Sequence, residues 1–366
     1  MTLPPPLAVP LDKEGYCVSL SAEDGEAVRA FLHEYGFVVV RDVLSDEECM
    51  ATLSELWASG SGEASIQSPP ESFWDSFFWE LQPHGKFGIT SFGGLESLMQ
   101  LKNRQNPRVV AAWRAVHGCR RLWCDHDRIG VMRPTVGVDV GDGKGPLDRP
   151  EWRTMRNWLH LDANPTVCGE TGYASIGGFK DDGTPIDFAS TFVSQGLLTL
   201  TDARAEDGGF HCVPGSHRYA MRWSAVENAL GDEEACRRRS RKNHRVGDAD
   251  PLMARIAEVP VRRGCLLAWS SLLFHGNRPN RSERFRAVQY MRTMPASAEG
   301  EPRSLPYTPL HSDPAAYPDE GFDVTPLGAR LFGFLPWEEK NIADEALIGT
   351  STHRNCERGA TFRPLP

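Results

Sequence analysis

Between residues 152 and 294 the chain breaks into short β-prone runs, each closed by turn residues. The runs fall at 158–161, 191–201, 210–213, 257–261, 266–274 and 285–291. Several short strands separated by turns imply a double-sheet β structure such as a jelly roll. Residues 224–256 interrupt the runs with a polar insertion expected to be helical, and 141–150 is turn-rich and expected to project as a hairpin or insertion.

The first part of the chain reads differently. Ser21, with Asp24 three residues on, can cap a helix carried by Val28, Phe31 and Leu32 and stopped by Gly36. Phe37-Val38-Val39-Val40 is a short strand, and Ser45-Asp46-Glu47-Glu48 opens a second helix that ends near Ser59-Gly60. Residues 60–95 are aromatic and irregular, as a loop or lid would be. A third helix spans 106–117, with Pro107 near its start. We therefore expect one domain over 1–366: a mostly helical part with a loop at 1–130, a β core at 131–294 and a wrapping tail at 295–366.

Charge and cysteines exclude several classes. The net charge is -9 and the pI is about 5.7, against the basic footprint that bulk nucleic-acid binding needs. Nine cysteines are scattered without a CxxC pair, so a reducing compartment is expected in place of a disulfide framework. The proline-rich residues 1–10 do not read as a signal peptide, and no apolar stretch approaches a membrane span. The expected setting is the cytoplasm.

The chemistry starts at His160-Leu161-Asp162. A strand sends residues i and i+2 to the same face, so one imidazole and one carboxylate point into the same space. Alone, the triplet is equally an exposed strand edge. His275, at the end of an apolar run, offers a second imidazole. Two histidines and one carboxylate on one side of a metal leave the opposite positions open, the arrangement of non-haem Fe(II) oxygenases. Eleven residues later comes Arg286, on one face with Val288 and Tyr290. The turn residues 276–280 suggest a hairpin that returns Arg286 toward His275. An arginine on such a face suits bidentate capture of a carboxylate, and Arg284, of the same parity, is its rival. His211 and His217 compete as ligands, but Pro214-Gly215-Ser216-His217 reads more naturally as a locally bonded turn. Cys124-Asp125-His126-Asp127 lacks partners at zinc spacing.

The ordered set resembles the phytanoyl-CoA dioxygenase family of Fe(II)/2-oxoglutarate oxygenases. Its matching pieces are His160-x-Asp162, the strand from Gln195 to Asp202, the turn ending Pro214-Gly215-Ser216-His217, and His275-Gly276 through Asn280-Arg281-Ser282 to Arg286. The segment Gly36 to Leu44 is similar to the family's opening. The resemblance covers roughly 22–58 and 128–294. It implies a distorted double-stranded β-helix of the cupin-like, jelly-roll type, mainly β with flanking helices. It implies Fe(II) on His160, Asp162 and His275, and 2-oxoglutarate with its distal carboxylate on Arg286. Gln195 and Thr199 share a strand face and would add hydrogen bonds to this cosubstrate, and Trp158 would wall the pocket. Related halogenases lack the carboxylate, so the retained Asp162 favours hydroxylation or another O2-dependent hydrogen-abstraction outcome over halogenation.

The expected activity is hydroxylation of a small molecule. Desaturation, cyclisation or epoxidation on the same scaffold is the rival outcome. A metabolite-binding protein without catalysis and a cupin-like zinc protein are readings from other classes. The basic run 237–242 reads as a solvated helix face, or as a contact for an anionic or carrier-linked substrate. No nucleic-acid or membrane partner is expected.

Overall fold

The computed structural model describes residues 6–61, 71–74, 85–90, 98–125, 127–141, 143–156, 158–162, 194–220, 223, 244–296, 324–333 and 335–337. The expected loop at 60–95 and tail beyond 295 lie largely outside these residues. The basic run and residues 224–243 of the expected helical insertion lie wholly outside them.

Local chemistry sets the first elements. Helix α1 (Gly25–Tyr35) is capped by Asp24, whose carboxylate accepts from the Ala27 amide at 3.0 Å. Ser21 instead closes a turn just upstream, accepting from the Glu23 amide, so the cap lies three residues later than the sequence suggests. Gly36 ends the helix in the left-handed region, at φ 80°. Helix α2 (Asp46–Ser61) starts with a reciprocal box. The Ser45 amide donates to Glu48 Oε2 at 2.7 Å, and the Glu48 amide donates to Ser45 Oγ at 3.2 Å. After α3 (Leu98–Arg104), helix α4 (Pro107–His117) follows the expected pattern, with Asn106 as its cap, Pro107 at the first position and Gly118 left-handed at its end.

The strands are β1 (Phe37–Val40), β2 (Ile89–Thr90), β3 (Leu122–Asp125), β4 (Ile129–Met132), β5 (His160–Leu161), β6 (Ser194–Thr199), β7 (Phe210–Cys212), β8 (His244–Arg245), β9 (Ala257–Glu258), β10 (Leu266–Ser270), β11 (His275–Asn277) and β12 (Arg286–Pro295). They form two antiparallel sheets. A seven-stranded sheet runs β1-β10-β6-β12-β4-β2, with β3 pairing the far end of β12. A five-stranded sheet runs β8-β5-β11-β7-β9. The two face each other as a distorted jelly roll, the fold expected from the sequence.

Burial shows why β1 reads as an unbroken apolar run. Phe37 and Val39 pack between the sheets with Leu197, Leu267, Phe210 and Cys212. Val38 and Val40 pack outward under the helices with Val28, Leu32 and Trp113. A strand covered on both faces needs no polar alternation. The third cluster, Leu159, Leu161, Val213, Trp223 and Phe274, covers the outer face of the small sheet. In the described part of the tail, α5 (Pro326–Leu331) brings Leu331, Phe332 and Trp337 into the helix-side core, and the Trp337 indole donates to the Leu122 carbonyl at 3.0 Å.

Trp113 fixes how closely α4 approaches the large sheet. A Cβ on Gly196 would lie 2.7 Å from the Trp113 ring and 2.9 Å from the Leu267 carbonyl. Gly196→Val therefore overpacks this contact, and we expect about 2 kcal/mol of lost stability in denaturant unfolding.

Three expectations change here. The run 266–274 is not one strand: β10 ends at Ser270 in the large sheet, and β11 begins at His275 in the small one. β11 and β12 are not a hairpin either, since they belong to opposite sheets. Asn280 steers this crossing, its Oδ1 accepting from the Ser282 amide at 2.8 Å and its Nδ2 donating to the Arg284 carbonyl at 2.6 Å. Residues 244–256 carry β8 and a 3-10 turn at Pro251–Arg255 where a helix was expected. The hairpin expected at 141–150 is present as a paired Val138 and Leu147.

Candidate metal centre

The small sheet brings the three donor residues together. β11 pairs with β5 in a register that sets His275 directly opposite His160, so both imidazoles project to one face. Asp162 follows His160 by two residues. His275 Nε2 lies 3.0 Å from Asp162 Oδ2, and His160 Nε2 lies 3.4 Å from Oδ1. One donor atom from each residue falls within 4.8 Å of the others. Three such donors crowded on one side are the set that could hold a divalent metal and leave its other positions open. Among the described residues this is the one such cluster, and the Cys124 side chain is buried.

Each donor is held in a ligand-ready state. The Leu273 carbonyl accepts from His275 Nδ1 at 2.8 Å, which orients the ring with Nε2 toward Asp162. Burial and the neighbouring His275 push the His160 pKa down, against the pull of Asp162. Burial would raise the Asp162 carboxyl, but His275 and His160 beside it hold it well below the usual carboxylate range. Neutral imidazole and ionised carboxylate are the forms that bind a divalent metal.

An aromatic wall surrounds these groups. Trp158 stacks on the His160 ring at 4.3 Å with 10° between the planes, and Phe87 stacks on Trp158 at 3.8 Å. Phe210 and Trp269 flank His275 at 5.6 and 5.2 Å. Gly276 allows the close approach of β5. A Cβ there would lie 1.9 Å from the Trp158 carbonyl, so Gly276→Ala must push the two strands apart. We expect metal affinity to fall roughly 10- to 100-fold, measured by calorimetric titration of Mn(II) or Fe(II), with the sheet core intact.

Across the sandwich, β12 presents Arg286, Val288 and Tyr290 to the interior. Arg286 is 1 % exposed, and no carboxylate lies within ion-pair distance among the described residues. Its polar neighbours are uncharged: the Tyr290 hydroxyl, and Met132 Sδ at 4.0 Å from Nη1. Burial pushes its pKa down, and Tyr290 beside it pulls the other way. The rival Arg284 is half-exposed and already engaged, at 2.6 Å from Glu206 and 2.7 Å from Asp207. Tyr290 also links the two sheets, because its hydroxyl accepts from Asn277 Nδ2 at 3.1 Å.

The remaining expected residues divide. Gln195 lies on the inner face, paired across the sheet with Trp269 and Arg292. Thr199 is a correction. Its hydroxyl donates to the backbone at Arg262 (2.6 Å) and accepts from the Cys265 amide (3.1 Å), so it holds the β6–β10 end together and is not free for a cosubstrate. His217 is tied to the His33 carbonyl at 3.0 Å, the structural role expected of its turn. His211 pairs with Gly276 and so lies on the other face of the sheet from His275. Asn277 and Trp269 were missed as site residues. Asn277 was findable, since it shares parity with His275, and Trp269 was hidden within an apolar run.

Residues 181–288, which include His275 and Arg286, match the family described as Phytanoyl-CoA dioxygenase (PhyH). Over these residues the chain is similar to that family. A Dictyostelium discoideum protein named "Putative phytanoyl-CoA dioxygenase" is 25 % identical over 320 residues, covering 79 % of this chain and 86 % of that protein. Among solved structures, a hypothetical protein from Escherichia coli aligns with a TM-score of 0.53 at 16 % identity, covering 86 % of this chain and 85 % of that one. The GlcNAc-inducible gene 2 product of Candida albicans aligns at a TM-score of 0.51 and 15 % identity, over 76 % and 66 % of the two chains. These two likenesses concern the fold. Among the described residues no helix is long and apolar enough to cross a membrane.

Proposed function

We propose that this phytanoyl-CoA dioxygenase-like oxygenase uses Fe(II) and 2-oxoglutarate to hydroxylate a small-molecule substrate. The observation that carries the reading is a buried face of three donors within one jelly roll that also buries an uncompensated guanidinium. A buried charge without a counter-ion is costly, and among the described residues Arg286 has none within ion-pair distance, so it calls for an anion. A dicarboxylic acid satisfies that demand with one end and leaves the other for the metal.

His160, Asp162 and His275 would hold the iron, and Arg286 would hold the distal carboxylate of 2-oxoglutarate. Iron(II), when bound, would supply O2 activation coupled to decarboxylation of 2-oxoglutarate to succinate. The chain's own work is placement and exclusion of water. Trp158 fixes the plane of His160 by stacking, and the Leu273 carbonyl fixes the His275 tautomer. The Tyr290 hydroxyl couples the face of Arg286 to Asn277, two residues beyond His275. With these groups set before the substrate arrives, a substrate C–H bond near the metal can be chosen by orientation.

The test is anaerobic addition of Fe(II) and then 2-oxoglutarate to the full chain. One equivalent of each is expected to bind, with a visible metal-to-cosubstrate absorption that appears when both are present. Admitting O2 should release succinate. Iron binding without any 2-oxoglutarate binding would overturn the reading.

A further inference from the structure

The outer face of the small sheet carries a second polar site. The pairing that turns His275 and Asn277 inward turns Gly276, and with it His211 and Glu258, outward. His211 is only 2 % exposed, yet neither ring nitrogen has a hydrogen-bond partner among the described residues. Its Nε2 lies flush against Gly276, where a Cβ would come within 2.9 Å of it. Burial and the nearby Arg278 push its pKa down to about 3, so the ring is neutral and keeps one donor and one acceptor.

His211 lines a shallow, open cleft with Arg156, Arg278, Arg281, Ile256 and Pro279. Four separate segments bring these side chains together: the approach to β5, strand β7, the entry to β9 and the crossing from β11 to β12. Only Arg278 has a counter-ion, with its Nε 3.1 Å from Glu258. Arg156 and Arg281 make no ion pair with a described residue. Three guanidiniums against one carboxylate leave a local excess of positive charge in a chain whose net charge is -9. Guanidinium groups match oxyanions through paired N–H donors, and an unpartnered buried imidazole beside them adds a further donor.

We infer that this cleft is an oxyanion subsite for a phosphate-class ligand, with Arg156, Arg281 and His211 as its main contacts and separate from the interior Arg286. The inference does not depend on iron or 2-oxoglutarate chemistry. The ligand is either free phosphate or the phosphate group of an ester.

Calorimetric titration of the full chain with inorganic phosphate, at constant ionic strength in chloride, tests it. Saturable binding of one phosphate is expected in the parent protein and in Arg286→Gln. At least a tenfold loss is expected in the double variant Arg156→Gln/Arg281→Gln, whose two exposed positions leave the fold unchanged by circular dichroism. Glycerol 3-phosphate separates the sources: tighter binding than inorganic phosphate supports an ester ligand, and equal binding supports free phosphate. No saturable binding in the parent, undiminished binding in the double variant, or loss in Arg286→Gln with retention in the double variant would each overturn the assignment.

Discussion

His275→Ala is expected to bring Fe(II)-dependent succinate formation down to background while the far-ultraviolet circular dichroism stays that of the parent. The imidazole supplies one of three donor atoms and also holds Asp162, at 3.0 Å. Without it, one imidazole and one carboxylate remain, too few protein ligands to fix an octahedral ion in an open site. Metal content after dialysis should fall from one per chain to near zero, a readout independent of turnover. Among the described residues no substitute donor is available, since His211 lies on the outer face and His217 is bonded to the His33 carbonyl. A His275→Ala protein that retains one tightly held Fe(II) and full succinate formation would refute the ligand set.

Arg286→Gln should raise the KM for 2-oxoglutarate by roughly 30- to 1000-fold while kcat at saturation falls much less. Charge-assisted paired hydrogen bonds to a carboxylate contribute about 2–4 kcal/mol in a buried setting, and each 1.4 kcal/mol is about tenfold. Glutamine fills much of the volume and removes the charge, so the change reads the guanidinium and not a cavity. Arg284→Gln provides the contrast. Its partners are Glu206 and the fully buried Asp207, so it should cost stability, of the order of 1 kcal/mol given its exposure, with KM changed by no more than about threefold. An unchanged KM in Arg286→Gln together with a raised KM in Arg284→Gln would transfer the role.

The parts of the fold that the sequence made legible are those written in local chemistry. The Ser45–Glu48 box, Asn106-Pro107 and the terminating Gly36 and Gly118 each mark a helix end through hydrogen bonds made within a few residues. His160 and Asp162 were legible for the same reason, because period two binds them to one face. What failed was long-range. Residues 266–274 read as one apolar strand because all but the half-buried Ser270 are buried, while the chain changes sheets at 271–274. Composition cannot reveal such a step, as both sheets bury their strands alike. The Gly276–Asn280 stretch has turn chemistry, but its turn connects opposite sheets; Arg286 therefore faces the sandwich interior from the opposite sheet to His275. Thr199 had the right parity for the interior but sits at a strand end, where backbone carbonyls at Arg262 and Cys265 compete for its hydroxyl. Arg284 and Arg286 share parity, and only the placement of Glu206 and Asp207 separates them.

An anaerobic crystal structure of the chain with Mn(II) in place of iron, and 2-oxoglutarate, tests the central claim most directly. The expected result is a single anomalous peak bonded to His160 Nε2, His275 Nε2 and one oxygen of Asp162, with the distal carboxylate of 2-oxoglutarate paired to Arg286. A metal bound elsewhere, or a cosubstrate that leaves Arg286 without an anion, would contradict it.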